Sequence, residues 1–396
     1  MPASRKQAWK SRLLVPILEP ARGAALYEPV RALENGVILA DNDLIVAIGA
    51  NLAVPPDYEL TDFGDAMICP PLVNAHTHLQ LSWLEGTVWG LGFTEWLKSM
   101  LPRLFPVIRS GFGSRERAAL ADAVACLQAC GTGHAGDVGG SIPGALEAAA
   151  AQDLPLTSFC EWLGFTEDAA SPWPGRCRQA ISANPGLALR CAPCGHALYS
   201  TSVAQMRIAQ AWCESMGRIF TFHLAESPEE TEMLVSGAGP LAELYRGNVL
   251  PDNWQPPGLG PVRLALRHGL LKKGTLAVHC VQLEDSEIMK FAATGAAICL
   301  CPRSNRNLAV GLAPAQKLAD AGILLCLGTD GLTSCEDLDV RNEARFLQTE
   351  FGLPLPALLR MAIPNGRAAL GLETETLAAG KKARFSVWAL GEDSNA

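Results

Sequence analysis

Four of the seven histidines stand where an apolar run gives way to polar residues. His76 and His78 form His-Thr-His just behind the run 66–74. His223 closes the run 218–224 and is followed by Leu-Ala-Glu226, while His279 lies at the end of 275–280. Asp330 follows the run 323–329 inside Gly-Thr-Asp-Gly. A His-x-His pair on an extended segment turns both rings to one side. Three or four imidazoles with one carboxylate make a nitrogen and oxygen donor set suited to a divalent metal of the zinc or iron type. Alone, His-x-His is ordinary loop chemistry and Thr-Asp-Gly is an ordinary turn. Their common placement at the ends of apolar runs is what points to one metal site.

The runs themselves must bring these residues together. Eight short apolar runs recur, at 66–74, 132–138, 154–161, 187–192, 218–224, 275–280, 296–301 and 323–329, with amphipathic stretches between them. Continuous apolar strands alternating with helices imply a parallel sheet. Eight such units predict an α/β fold, a (β/α)8 TIM-like barrel over 67–379, whose catalytic residues lie at the C-terminal strand ends. A doubly wound sheet is the alternative. Residues 1–66 read as short strands separated by Asn35-Gly36, Asp41-Asn42-Asp43 and Pro55-Pro56-Asp57, with a matching strand at 384–390. Both chain ends, 1–66 plus 380–396, are therefore expected to build one small β-sandwich-like domain. The Gly- and Pro-rich segment 236–262 reads as a long loop insertion.

Composition narrows the partners. The chain has 396 residues, 49% of them hydrophobic, and a net charge of −8. That is enough for a large core and too acidic for a nucleic-acid footprint. No run approaches the length of a membrane span, and the apolar stretch 13–18 is too short for a signal-peptide core. Thirteen cysteines, odd in number and set inside apolar runs, read as reduced buried thiols in a cytoplasmic protein rather than a disulfide framework. Gly131-Thr-Gly-His-Ala-Gly136 matches a dinucleotide fingerprint by letters, yet precedes a strand and lacks the acidic residue further on. Cys191-x-x-Cys194 has no second pair in a matching context. The expected partner is a small-molecule substrate, and a homodimer is the assembly left open, as the commonest one.

The constellation resembles the amidohydrolase superfamily, and the resemblance covers nearly the whole chain. It implies one divalent metal, zinc first and iron as the alternative, held by His76, His78, His223 and Asp330, with His279 beside the water such a metal would hold. Binuclear relatives add a lysine after the fourth strand, but no lysine occurs here between Lys98 and Lys272, so a mononuclear site is expected. Glu226, three residues after His223, resembles the proton shuttle of the deaminase branch; the plain alternative is a solvated carboxylate opening a helix. The implied reaction is hydrolytic deamination. Asp330 takes a proton from water, Glu226 protonates a ring nitrogen, His279 hydrogen-bonds the attacking oxygen, and ammonia leaves.

Several segments bear on the substrate. The aromatic first loop, from Leu79 through Trp83 and Phe93 to Leu97, suits a lid over a planar ring, with plain helix and loop core as the alternative. Gly195-His196-Ala-Leu-Tyr-Ser200 resembles a nucleoside-deaminase segment in which Leu198 replaces the usual proline, making His196 a candidate ligand. Glu161 ends the third strand, where a buried carboxylate needs a partner. Pro302-Arg303-Ser304-Asn305 resembles adenosine-derivative deaminases, and Arg303 suggests a substrate carboxylate held bidentately, with a scaffold salt bridge as the plain alternative. Together these motifs most resemble the aminodeoxyfutalosine deaminases, which act in the futalosine route to menaquinone. S-adenosylhomocysteine or adenosine deaminases, guanine-type deaminases, chlorohydrolases and formimino-amino-acid deiminases remain the alternatives.

Overall fold

The computed structural model describes residues 5–139 and 142–390. The outer residues of the expected terminal unit, 1–4 and 391–396, lie outside this description. Five strands open the chain: Lys6–Leu14 (β1), Leu33–Asp41 (β2), Leu44–Ala50 (β3), Glu59–Asp62 (β4) and Ala66–Cys69 (β5). Eight follow, each but the first preceded by helix: Leu72–Thr77 (β6), Thr132–Gly139 (β7), Leu156–Trp162 (β8), Cys191–Gly195 (β9), Phe220–Leu224 (β10), Thr275–His279 (β11), Ala297–Leu300 (β12) and Leu324–Leu327 (β13). Ser386–Ala389 (β14) comes last.

One six-stranded sheet draws on both ends of the chain, in the order β14-β5-β1-β2-β3 with β4 also beside β1. Asn42 and Asp43, with φ of +47° and +66°, make the two-residue turn between β2 and β3. Positive φ at both turn positions matches the twist of an antiparallel pair, and Asn and Asp tolerate it. Asn35-Gly36, read above as a turn, instead lies inside β2. Asn35 takes the left-handed conformation (φ +49°), and Gly36 packs so closely on Leu14 that a Cβ there would stand 2.1 Å from that side chain's Cβ.

The other eight strands form two parallel sheets, β6 to β9 and β10 to β13. They meet at two seams. At one, the His223 amide donates to the His196 carbonyl at 2.8 Å; at the other, the Asp330 amide donates to the His76 carbonyl at 3.1 Å. Nearly every residue of these strands is buried, as expected of strands covered on both faces.

Two expected strands moved. The run 66–74 is divided between sheets, because Pro70 and Pro71 interrupt it where two N–H groups would be needed; β5 joins the terminal sheet and β6 begins the parallel one. The run 187–192 contributes only its end. Pro185–Leu189 coils into a short 3-10 turn with Leu189 68% exposed, and β9 extends instead through Pro193 to Gly195. Its ladder partner is β8 alone, so the missing Pro193 N–H breaks no second ladder. The insertion 236–262 is not wholly irregular: it carries a short helix, Pro240–Tyr245. All thirteen cysteines are free thiols, eleven of them buried.

Ser386 clasps the terminal sheet onto the parallel one. Its hydroxyl accepts from the Leu72 amide at 3.1 Å and donates to the Gly131 carbonyl. Ser386→Ala leaves this buried polar contact unmet. Urea unfolding should show a loss of about 1–3 kcal/mol, and a loss indistinguishable from zero would mean the clasp is dispensable.

Candidate active site

The C-terminal ends of β6, β10, β11 and β13 converge. His76 and His78 leave β6, His223 and His279 end β10 and β11, and Asp330 follows β13. The His78 Nδ1 donates to the Val138 carbonyl and the His223 Nδ1 to the His196 carbonyl, each at 2.9 Å. A carbonyl only accepts, so both Nδ1 atoms carry the proton and both Nε2 atoms are bare lone pairs. Those two Nε2 atoms face each other 3.1 Å apart. His76 is buried, and neither of its ring nitrogens has a hydrogen-bond partner among the described residues. Asp330 Oδ1 lies 3.5 Å from His76 Nε2 and 3.4 Å from His78 Nε2. Lone pairs aimed at one point, with an orphaned imidazole and a carboxylate beside them, fit a cation at that point. The ligand atoms of His76, His78 and Asp330 all lie within 4.8 Å of one another, as do those of His76, His223 and His279.

Electrostatics agree with the geometry. Burial pushes every imidazole of the cluster down: His76 to about 4, His196 to about 3, and His78, His223 and His279 below their usual value. Burial pushes Asp330 up, but the facing His76, His78 and His279 rings hold its carboxyl well below the usual range. The donor set is thus neutral imidazole and ionised carboxylate at neutral pH, the protonation state a metal requires. Asp330 is fixed from behind by the Ser304 and Ser334 hydroxyls, which donate to its Oδ2 at 2.7 and 2.9 Å. His279 Nδ1 donates to Asn305 Oδ1 at 2.8 Å. Its Nε2 lies 3.6 Å from Glu226 Oε1.

Glu226 is 5% exposed. Burial, then the charges of Asp330, Glu230 and Glu229, push its carboxyl well above the usual range. Glu161 is likewise pushed up to about 8, by burial first and then by Asp137 and Asp330. Backbone conformation is unusual at these positions: Ala225, His279 and Asp330 have φ of +52°, +71° and +61°. Left-handed non-glycine residues gather at sites where a side chain must be aimed against local preference.

A cavity of 440 Å³ opens over the cluster. Its floor is His78, His196, His223, Glu226, His279, Asp330 and Glu161; its wall is the helix Phe93–Ser110, through Phe93, Trp96, Leu97, Met100 and Leu104. Tyr245 and Val249 of the insertion complete the roof. Of the residues singled out from sequence, Phe93, His196 and Glu161 line the cavity, but Trp83, Arg303 and Ser304 do not. Ser304 is turned to Asp330. Trp83 packs outside, with the Arg115 guanidinium 5.7 Å from its ring. Arg303 corrects the expectation of a carboxylate-binding arginine. Its guanidinium is 7% exposed and already bidentate to Asp337 at 2.9 and 3.0 Å, with Glu336 at 2.7 Å and Glu343 at 3.4 Å. It pins the loop behind Asp330.

Four residues escaped the sequence reading. Asn305 stood in a quoted motif without a role, and Ser334 had no motif at all. Glu230 was visible only as the fourth letter of a Ser-x-x-Glu capping pattern. Arg176 follows an unremarkable Pro-Gly turn, yet it is the one lysine or arginine lining the cavity, exposed at its rim and without an ion pair among the described residues.

Comparison with known proteins gives concordant results. The model of the Amidohydrolase family matches residues 67–396. An aminodeoxyfutalosine deaminase of Deinococcus radiodurans is 32% identical, over 80% of this chain and 76% of that protein. A 5-methylthioadenosine/S-adenosylhomocysteine deaminase of Nitratidesulfovibrio vulgaris is 28% identical, over 78% of this chain and 67% of that one. Among solved structures, the aminofutalosine deaminase of Helicobacter pylori, in complex with methylthio-coformycin, superposes with a TM-score of 0.78 at 22% identity, covering 98% and 93% of the two chains.

The depressed imidazoles set a pH range for metal retention. A ligand imidazole must be neutral, and His76 stays neutral down to about 4. Metal content per chain should therefore survive dialysis at roughly pH 6, where free imidazole is mostly protonated, and fall as pH drops through about 4. Loss already near pH 6 would show that the cluster is not shielded as described.

Proposed function

The chain belongs to the amidohydrolase family, and from that premise we propose that it is a metal-dependent hydrolytic deaminase of an adenine-type nucleoside, with 6-amino-6-deoxyfutalosine as substrate and futalosine plus ammonia as products. The observation that carries this reading is the placement of Glu226. A buried carboxyl, pushed well above the usual carboxylate range, stands 3.6 Å from His279 at the edge of a donor set of three imidazoles and one carboxylate. Ester hydrolysis has less need of a second acid there, whereas deamination must protonate a ring nitrogen and then the departing amine.

His76, His78, His223 and Asp330 would hold the metal, which we take to be zinc, with iron the alternative for the same donors. When bound, such an ion lowers the pKa of water towards neutrality. The protein's own groups do the rest. Asp330, ionised and facing the imidazoles, takes the proton of the attacking water. His279, oriented by Asn305, hydrogen-bonds the incoming oxygen. Glu226 gives its proton to the ring nitrogen next to the amine-bearing carbon; the proton taken up by Asp330 then passes to the amino group, the C–N bond breaks and ammonia departs, and the new hydroxyl returns a proton to Glu226. His196 and Glu161, across the floor from Glu226, are placed to bind the nucleoside, and Phe93 flanks its ring.

The finer substrate reading rests on the cavity's gradient of character. Polar acid–base groups lie at the floor, aliphatic and aromatic side chains along the helix Phe93–Ser110, and the cation Arg176 at the rim. A planar aminated head, an apolar arm and an anionic end match that order, as in a nucleoside bearing a carboxyphenyl group. We move the expected carboxylate contact from Arg303 to Arg176 accordingly. S-adenosylhomocysteine, whose arm also ends in a carboxylate, is the second reading. We also read β6 to β13 as one (β/α)8 barrel over 67–379, and the terminal sheet as a small β-domain of 1–66 plus 380–396 that also takes in the strand to Cys69. The free thiols favour a reducing compartment, the cytoplasm.

Ammonia release on aminodeoxyfutalosine, S-adenosylhomocysteine, 5-methylthioadenosine and adenosine tests the reading. Turnover should be fastest on the first; silence on all four, with activity on a formimino or chloro substrate, would sink it. Glu226→Gln should keep the metal and lower kcat on the order of a hundredfold or more; near-normal turnover would remove Glu226 from the chemistry. Arg176→Ala should raise KM by about tenfold or more for carboxylate-bearing substrates while leaving adenosine unaffected. An equal effect on adenosine would contradict the assigned contact.

A further inference from the structure

Glu230 is fully buried, at 0% exposure, in a region where no resemblance or spacing gives it a role. It stands in the first turn of the helix Pro228–Ser236, whose N-cap Ser227 accepts from the Glu230 amide at 3.1 Å. In an ordinary capping box the acidic side chain returns to the amide of the N-cap residue itself. Here its Oε2 accepts instead from the amide of Glu226, one residue earlier, at 2.7 Å. Burial pushes Glu230 up to about 7, against the amides of Glu226, Ala225 and Ser227, which favour its charged form. The turn those amides belong to is held on its other side as well. The Cys280 amide donates to the Leu224 carbonyl at 2.9 Å, and the Gln282 amide to the Ala225 carbonyl at 2.8 Å. Between these two anchors Ala225 is left-handed, with φ +52°. A non-glycine residue keeps that conformation only when its surroundings impose it.

We propose that Glu230 is a positioning residue for Glu226: its carboxylate pins the Glu226 backbone amide and so fixes the left-handed turn that aims the Glu226 side chain at the site beside His279. The inference rests on the proton-transfer role of Glu226 proposed above. Without the pin, the turn at Ala225 relaxes towards the right-handed region, and the Glu226 carboxyl swings away from His279. The cost falls on the step that needs the proton, because misplacement by a fraction of an ångström to an ångström is enough to slow an oriented transfer.

Two measurements decide it, on the full-length, metal-loaded protein. In Glu230→Ala, amide hydrogen exchange over residues 225–227 should quicken. With the best adenine nucleoside as substrate, kcat should fall on the order of tenfold to a hundredfold, with KM within about threefold and metal content unchanged. Glu230→Gln, which keeps an acceptor oxygen of the same reach, should recover most of kcat; should the alanine variant not fold, Glu230→Met, of similar volume but without an acceptor oxygen, carries the same test. Ser227→Ala loosens the same helix start without removing the Glu226 contact, so it should lower the thermal midpoint and leave kcat near wild type. The inference is overturned if exchange at 225–227 is unchanged in the variant that lacks an acceptor at 230. It is equally overturned if kcat is untouched, or if Ser227→Ala costs as much kcat as Glu230→Ala. A wild-type protein inactive on every adenine nucleoside fails the deaminase reading, while the exchange measurement still decides this one.

Discussion

Two imidazole lone pairs, on His78 and His223, face each other at 3.1 Å on buried side chains. Nothing in the chain separates them, and neither ring can turn away. Each is tied through its other nitrogen to a backbone carbonyl of a neighbouring strand, Val138 or His196. The protein thus imposes an arrangement that only a proton or a cation between the rings relieves, and burial makes the proton unfavourable. The site's chemistry follows from that imposed crowding. It requires the strands to end at one level, the carbonyls of the next strands to be within reach, and Asp330 to complete the set.

The residues that crowd together also join the two parallel sheets. The seam between β9 and β10 runs through the His196 carbonyl and the His223 amide, and the seam between β13 and β6 through the Asp330 amide and the His76 carbonyl. Folding of the seams and formation of the site are therefore one event. Gly328 shows how tight that junction is: a Cβ there would stand 2.8 Å from the His76 carbonyl oxygen. The left-handed backbone at His279 and Asp330 belongs to the same economy of space, since a regular strand continuation would carry both side chains past the site.

Around this centre the polar groups are arranged in tiers. Ser304 and Ser334 hold Asp330, Asn305 orients His279, and Arg303 gathers Glu336, Asp337 and Glu343 into the loop behind them. The substrate-facing surface is different in kind, largely aliphatic and aromatic, with its single arginine at the rim. The arginine that the sequence singles out and the one that it does not thus have opposite fates. Arg303 is enclosed by carboxylates from a loop some thirty residues away, and Arg176 stands at the mouth without an ion pair among the described residues.

The sequence by itself determined the donors of the centre: which histidines and acids stand at strand ends, that no lysine lies between Lys98 and Lys272, and that Glu226 follows His223 by three residues. These were readable because donor type, spacing and the apolar runs are local properties of the chain. Strand limits were less readable where proline intervened, as at Pro70-Pro71 and Pro193, because whether a missing N–H matters depends on which neighbour the strand finds. Only the tertiary structure decided which side chains line the cavity. The partners of Arg303, the freedom of Arg176, the serines behind Asp330 and the hold of Glu230 on Glu226 all depend on contacts across strands and loops. Such contacts are set by three-dimensional packing, and no periodicity along the chain encodes them.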